Sequence, residues 1–167
     1  MMLKYLTKKF YINLLLILLI FFIDRFSKLY VIYLDRKYYN EDLFVSKYLN
    51  INLIWNEGVA FGLFSFDQTL LYNVLTIIIL VLIFAIFIMM IKNVGLKKYA
   101  LIMIFSGAIG NVYDRIIFRA VPDFIDFHVG DFHWFIFNAA DIFITIGVIF
   151  MILFELIDIN KKNHEQI

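Results

Sequence analysis

Four stretches of this chain are long and apolar enough to cross a lipid bilayer, and they limit what else it can be. A membrane helix needs about 20 mostly apolar residues. Residues at about 10–34, 70–91, 99–118 and 135–157 meet that need. Hydrophobic residues make up 63% of the chain, against roughly 45–50% in soluble domains, so lipid is the expected solvent for most of the surface. We expect an all-α integral membrane protein with four transmembrane helices and a small β-containing segment on the outer membrane surface. All 167 residues are expected to form a single membrane domain.

The start of the chain has the look of a cleaved signal peptide, with Lys4, Lys8 and Lys9 ahead of an apolar run at 10–23. The sequence then continues IDRFSKLYVIY, with no small-residue cleavage site, so a retained helix is expected. Lysines set the orientation, because positive charge stays cytoplasmic. Lys4, Lys8 and Lys9, then Lys92, Lys97 and Lys98, then Lys161 and Lys162 all fall on one side of a four-span chain. Both termini are therefore expected in the cytoplasm. Segments at about 35–69 and 119–134 lie outside, and the alternating stretch YLNINLIWN in the first of them is expected to form strands.

Several function classes are excluded or disfavoured. A net charge of +1 is too small to suggest a nucleic-acid partner. Absence of cysteine rules out disulfides and thiolate chemistry. His128, His133 and His164 are too scattered for a recognisable zinc motif, so neither metal nor other cofactor is expected.

Charged groups inside a bilayer are costly and mark function by default. At about 1.5 Å per residue, Asp24 lies roughly 21 Å up the first span and residues 111–115 roughly 18–24 Å up the third. Asp141 lies in the first turns of the fourth span, which enters from outside. Three spans thus bring polar groups to one depth near the outer face, and the second contributes nothing comparable. Asp24 and Lys28 are four apart and can pair on one helix face. Asn111 is three and four residues from Asp114 and Arg115, and Asn138 is three from Asp141. Pro122, the sole proline, forces Val121 to be extended and is expected to present Asp123 from a fixed turn.

Structural roles compete for most of these groups. Asp24 with Lys28 reads as an intramembrane ion pair, and Asp114 with Arg115 as a boundary pair. Asn138 reads equally well as a helix cap. Glu155 and Asp158 are expected at cytoplasmic headgroups, Asp126 and Asp131 as surface loop charges, and His128 and His133 as interfacial residues beside Trp134. The 20 Phe and 10 Tyr read mostly as lipid-facing filler and interface belt. Asp24, Asp114, Asp123 and Asp141 all stay candidates for chemistry, with a mild preference for Asp123 and Asp141, which lack an adjacent cation. Three functional classes fit: a membrane hydrolase, a channel or proton-coupled transporter, and an assembly factor. Clustering at one depth, in place of a ladder across the membrane, argues against the transporter.

At these residues the chain resembles the lipoprotein signal peptidases, or signal peptidase II. DRFSK (24–28) is similar to the family's D-x-x-S/T-K motif, and NEGVAFG (56–62) to its N-x-G-x-A-F loop. SGAIGNVYDR (106–115) is similar to G-G-x-x-G-N-x-x-D-R, with Ser106 in place of the first glycine. VPDFIDF (121–127) is similar to V-x-D-F and FNAAD (137–141) to F-N-x-A-D. Pro122, Arg25 and Val59 depart from the usual residues. The resemblance implies a membrane aspartyl endopeptidase that cuts bacterial prolipoproteins before the diacylglyceryl-modified cysteine. It implies Asp123 and Asp141 as the catalytic pair, with Asp24, Lys28, Asn56, Asn111, Asp114, Arg115 and Asn138 in support. Asn111, Arg115 and Asn138 would position the aspartates and the substrate backbone, and Gly58 and Gly62 would let the Asn56 loop bend over the site. The partners implied are prolipoproteins and membrane lipid, the location is the bacterial inner membrane with the site near its outer face, and a monomer is expected. Two close carboxylates share one proton, and the dipole at the start of the fourth span favours the anion on Asp141.

Overall fold

The structure, a computed structural model, describes residues 8–38, 42–58 and 68–165, the side chains of 68 and 160–165 excepted. Lys4, Val59, Gly62, Lys161 and Lys162, used in the sequence reading, lie outside the described residues or side chains. The chain is mostly helical. In order it forms α1 (Lys8–Lys37), β1 (Phe44–Val45), β2 (Leu49–Asn56), α2 (Gln68–Lys92), α3 (Gly95–Phe118), β3 (Val121–Val129), β4 (Phe132–Phe137) and α4 (Ala139–Glu165).

Three of the helices are long and apolar enough to cross a membrane: Thr69–Lys92, Gly95–Phe118 and Ala139–Ile159. α2 is the most apolar, with a mean hydropathy of 3.4, and little of it is buried within the protein. Side chains such as Ile77, Val81, Phe84 and Ile91 are exposed, which in lipid costs nothing and in water would be prohibitive. α1 is 30 residues long and differs in kind, because its buried face holds Asp24, Arg25 and Lys28 beside Ile20, Val31 and Ile32.

α3 packs against all three other helices, and against α4 most closely. Lipid offers no hydrophobic drive for that contact, so small residues that let backbones approach supply it. A Cβ on Gly107 would lie 2.6 Å from the carbonyl oxygen of Ala140, and one on Gly147 2.8 Å from that of Ala100. Leu101, Ile102, Ile104 and Met90 form the apolar core at the other end of the bundle from the polar groups described below. Where α3 begins and α4 ends, Lys97 Nζ bridges Glu155 (2.7 Å) and Asp158 (2.6 Å).

Strand content exceeds the sequence expectation. YLNINLIWN does form β2, but 119–134, read as a plain outer segment, contributes two further strands. All four make one antiparallel sheet in the order β1-β2-β3-β4. The fourth apolar span, expected from 135, begins its helix only at Ala139, because Phe132–Phe137 pair with β3 instead. An aromatic, β-branched run such as FHWFIF suits a strand as well as it suits a membrane span. Pro122 does not present Asp123 from a turn. The chain reverses at Arg119, which caps α3 in the left-handed conformation at φ 55°, and Pro122 is the second residue of β3, opposite Trp55. A proline without an N–H is tolerated at a strand start.

Candidate active site

β3 and the first turn of α4 each deliver one carboxylate to the same place. Asp123, third in β3, is 4% exposed. Asp141 lies in the first turn of α4. Both line a cavity of about 500 Å³ whose other walls are Asn56, aromatic residues of β4 and, along α4, Ile142 and Thr145.

Three asparagines serve the pair, each in the same way. Asn56 Oδ1 accepts the backbone N–H of Gly58 at 2.7 Å, so its Nδ2 turns to donate to Asp123 Oδ2 at 2.8 Å. Asn138 Oδ1 accepts the N–H of Asp141 at 3.2 Å, and its Nδ2 donates to Asp123 Oδ1 at 2.6 Å. Asn111 Oδ1 accepts Lys28 Nζ at 2.8 Å, and its Nδ2 donates to Asp141 Oδ1 at 2.8 Å. A donor locked on each carbonyl oxygen fixes which way the amide faces. All three therefore present NH₂ groups to the carboxylates. Gly58 makes the Asn56 turn possible: its φ is +75°, and a Cβ there would lie 2.8 Å from Leu75 Cδ2, so only glycine adopts this bend without strain.

Asn138 has a second task. The backbone N–H of Asn138 donates to Asp141 Oδ2 at 3.1 Å while Asp141 donates its own N–H back to Asn138 Oδ1. This reciprocal arrangement is a capping box, which satisfies N–H groups that a helix start leaves without partners. The spacing of three in FNAAD is thus a cap and an aspartate-positioning device together. A further orphan, the N–H of Ala140, donates to Asp24 Oδ1 at 2.9 Å.

Behind the asparagines lies an ionic cluster. Lys28 Nζ meets Asp24 Oδ2 at 2.9 Å and Asp114 Oδ2 at 2.8 Å, and all three side chains are fully buried. Arg25 Nη1 bonds Asp114 Oδ1, and the guanidinium stands 5.0 Å over the Tyr113 ring. Asp114 therefore pairs with α1 and not with Arg115, as sequence proximity suggested. Residues i and i+1 on a helix do not face each other, and Asp114 is fully buried towards α1 while Arg115 is half-buried elsewhere. Arg115 makes no hydrogen bond to either aspartate of the pair. Its Nε is buried without a partner among the described residues. A Cβ on Gly58 would lie 3.5 Å from its Nη2, and its backbone carbonyl accepts the Tyr72 hydroxyl at 2.7 Å.

Burial is the main influence on Asp123 and pushes its carboxyl above the ordinary value; the hydrogen bonds from Asn56 and Asn138 oppose this, the Asp141 charge adds to it, and Lys28 opposes it again. A carboxyl that resists ionisation beside a second carboxyl is the arrangement that holds one proton between two. The pair can supply an acid and a base to a group bound in the cavity.

Asp126 is a correction. Read as a surface loop charge, it is 2% exposed and holds His133 Nδ1 with both oxygens, at 2.8 and 3.0 Å. His128 and His133, far apart in any metal-motif sense, stack across the hairpin. Alternation along β3 puts Asp126 on the opposite face from Asp123, so this cluster is separate from the cavity pair.

Comparisons with known proteins point one way. The sequence profile of the family described as Signal peptidase (SPase) II matches residues 16–157. A lipoprotein signal peptidase of Pelagibacter ubique is 52% identical over 159 residues, covering 95% of this chain and 96% of that protein. One from Anaplasma phagocytophilum is 37% identical, covering 89% and 94%. A bacterial membrane enzyme solved by the in meso method at 2.3 Å resolution superposes with a TM-score of 0.67 at 32% identity, covering 90% of each chain. A second, at 1.9 Å, gives 0.64 at 29% identity, covering 86% and 92%.

Proposed function

Because the chain belongs to the signal peptidase II family, and so removes signal peptides from prolipoproteins as a protease of a bacterial inner membrane, we propose that Asp123 and Asp141 are its catalytic pair. The observation that carries this is the cavity at which the two carboxylates meet, each held by asparagine NH₂ groups and neither, among the described residues, by a cation.

In this reading Asp123 keeps the shared proton, in line with its raised carboxyl, and Asp141 carries the charge at the start of α4, where the helix dipole favours it. Asp141 takes a proton from a water molecule, and the resulting hydroxyl adds to the scissile carbonyl. Asp123 gives its proton to the carbonyl oxygen, so a neutral tetrahedral diol forms. Collapse breaks the C–N bond as a proton passes to the leaving amine, which regenerates the pair with one proton. Lys28, through Asn111, and Asp24, through the Ala140 N–H, are positioning residues. Arg115 is not placed in contact with the pair and is assigned to the substrate side or the Asn56 loop.

The substrate side follows from the cavity wall. Trp134, Phe135 and Ile142 suit an apolar chain, and we assign the cut to the bond before the diacylglyceryl-modified cysteine of a membrane-held substrate. All four helices are taken to cross the bilayer, α1 included. Its buried ions face α3 and α4 and not lipid. Both termini are then cytoplasmic, the Lys97 bridge lies at the cytoplasmic end, and the sheet and cavity lie at the outer face. The chain acts as a monomer, since one copy supplies every group named.

Incubation of the purified protein with a diacylated prolipoprotein tests the chemistry. Wild type is expected to release the signal peptide, and Asp141→Asn to release none at matched protein level. Wild-type rates from a folded Asp141→Asn would remove the pair from the mechanism. Reporter fusions test the topology, with one after Lys97 reading cytoplasmic and one at Lys47 reading outside; the reverse would overturn the orientation.

A further inference from the structure

We propose that Asp126, His128 and His133 form a binding site for a divalent transition-metal ion, with zinc as the leading candidate. Each offers one ligand atom, and these atoms all lie within 4.8 Å of one another. The hairpin builds the site. Asp126 and His128 are two apart on β3 and share a face, and His133 is the direct partner of His128 on β4. Their rings stack at 5.1 Å with planes 22° apart.

Two features of the cluster ask for a cation. Asp126 is a buried carboxylate, and among the described residues its ionic partner is a half-exposed histidine and no lysine or arginine. Buried charges are paired or coordinate metals, and a neutral imidazole leaves this one only hydrogen-bonded. His128 Nδ1 is shielded from solvent and has no hydrogen-bond partner among the described residues.

The donor set narrows the ion. Two imidazole nitrogens and one carboxylate oxygen suit zinc, copper or nickel and not magnesium or calcium, which prefer all-oxygen shells. Three protein ligands leave a coordination position for water or an outside group, on the side where His133 is open to solvent. The site faces away from Asp123, so the ion takes no part in the proteolytic step. It would tie β3, which carries Asp123, to β4, which leads into Asn138.

The test is a zinc titration of tag-free, chelator-stripped full-length protein in detergent, read by calorimetry and by competition with a chromogenic chelator. One zinc per chain with micromolar or tighter affinity is expected, with no comparable magnesium uptake. His133→Ala and His128→Ala should each weaken binding at least about tenfold, and zinc should raise the melting temperature of wild type but not of His133→Ala. A zinc-free melting curve of each variant confirms that it is folded before the titration is read. Asp123→Asn should take up zinc like wild type. Absence of stoichiometric zinc, equal uptake by both histidine variants, or loss of uptake in Asp123→Asn would each overturn the proposal.

Discussion

Two carboxylate pairs meet where α1, α3, β3 and α4 converge, one fully buried and one with Asp123 buried and Asp141 half-buried, and they are neutralised in opposite ways. Asp24 and Asp114 sit with Lys28 and Arg25, so their formal charges cancel. Asp123 and Asp141 are served by three asparagine amides, which donate hydrogen bonds but carry no charge. Leaving two carboxylates ionised side by side in a low-dielectric site is costly, and the cheapest counter-ion available to the second pair is a proton. On the assignment proposed above, the charge-balanced carboxylates are scaffold, and the amide-held ones keep an exchangeable proton to which the cavity gives access. Asn111 joins the two systems, bonded to Lys28 on one side and Asp141 on the other.

The largest expected effect separates the pairs by what is lost. Asp123→Asn and Asp141→Asn should slow cleavage by about 10²–10⁴-fold or more while their thermal unfolding in detergent stays near wild type. Substantial activity in either would erase the distinction. Lys28→Met should do the reverse, destabilising the fold by roughly 3–5 kcal/mol because two carboxylates are left buried against one arginine. A melting curve unchanged from wild type would show that the ionic cluster is not what holds α1 in place. Asn138→Ala removes a helix cap together with a donor to Asp123 and should show both losses in milder form: about 1 kcal/mol from the cap and a slower cleavage step, measured by unfolding and by single-turnover kinetics.

A pH profile sharpens the contrast further. Because the folded state raises the Asp123 carboxyl, its acid form persists to higher pH than an ordinary aspartate allows. Activity should hold at lower pH and fall as pH rises through the raised value. Any stability linked to this proton has the same sign, full when protonated and declining as the proton leaves. Asn56→Ala removes a donor that favours the anion, so its alkaline limb should move to higher pH. The two limbs belong to the pair and not to one residue. Gly58→Ala should give the smallest change, a modest loss of rate as Asn56 loses the backbone N–H that aims it.

Much of this arrangement was legible in the residues, for identifiable reasons. Apolar length marked α2 and α3 closely, since few other structures tolerate such runs. The i,i+4 spacing of Asp24 and Lys28 and the i,i+3 spacing of Asn138 and Asp141 translate directly into contacts because helix geometry fixes them. The β3–β4 hairpin did not show, because VPDFIDFHV alternates apolar with charged residues as an exposed loop can, and FHWFIF merges into the next apolar span. Asp126 was misplaced for the same reason: alternation says that it lies opposite Asp123, but not which face is covered. The pairing of Asp114 with Arg25, 89 positions away, has no local signal at all, and the neighbouring Arg115 was the natural but mistaken partner. Asn56 came from the family motif alone.

The bond between Asp24 and the Ala140 N–H spans 116 positions, from the first helix to the last. Chains are made and inserted from the N-terminus. A growing chain that has reached the end of β3 has Asp24 and Asp123 in place but neither Asn138 nor Asp141. Under the catalytic assignment above, such a chain is chemically silent. On that assignment the pair is complete only when the final helix docks, so the chain's own synthesis acts as the timer.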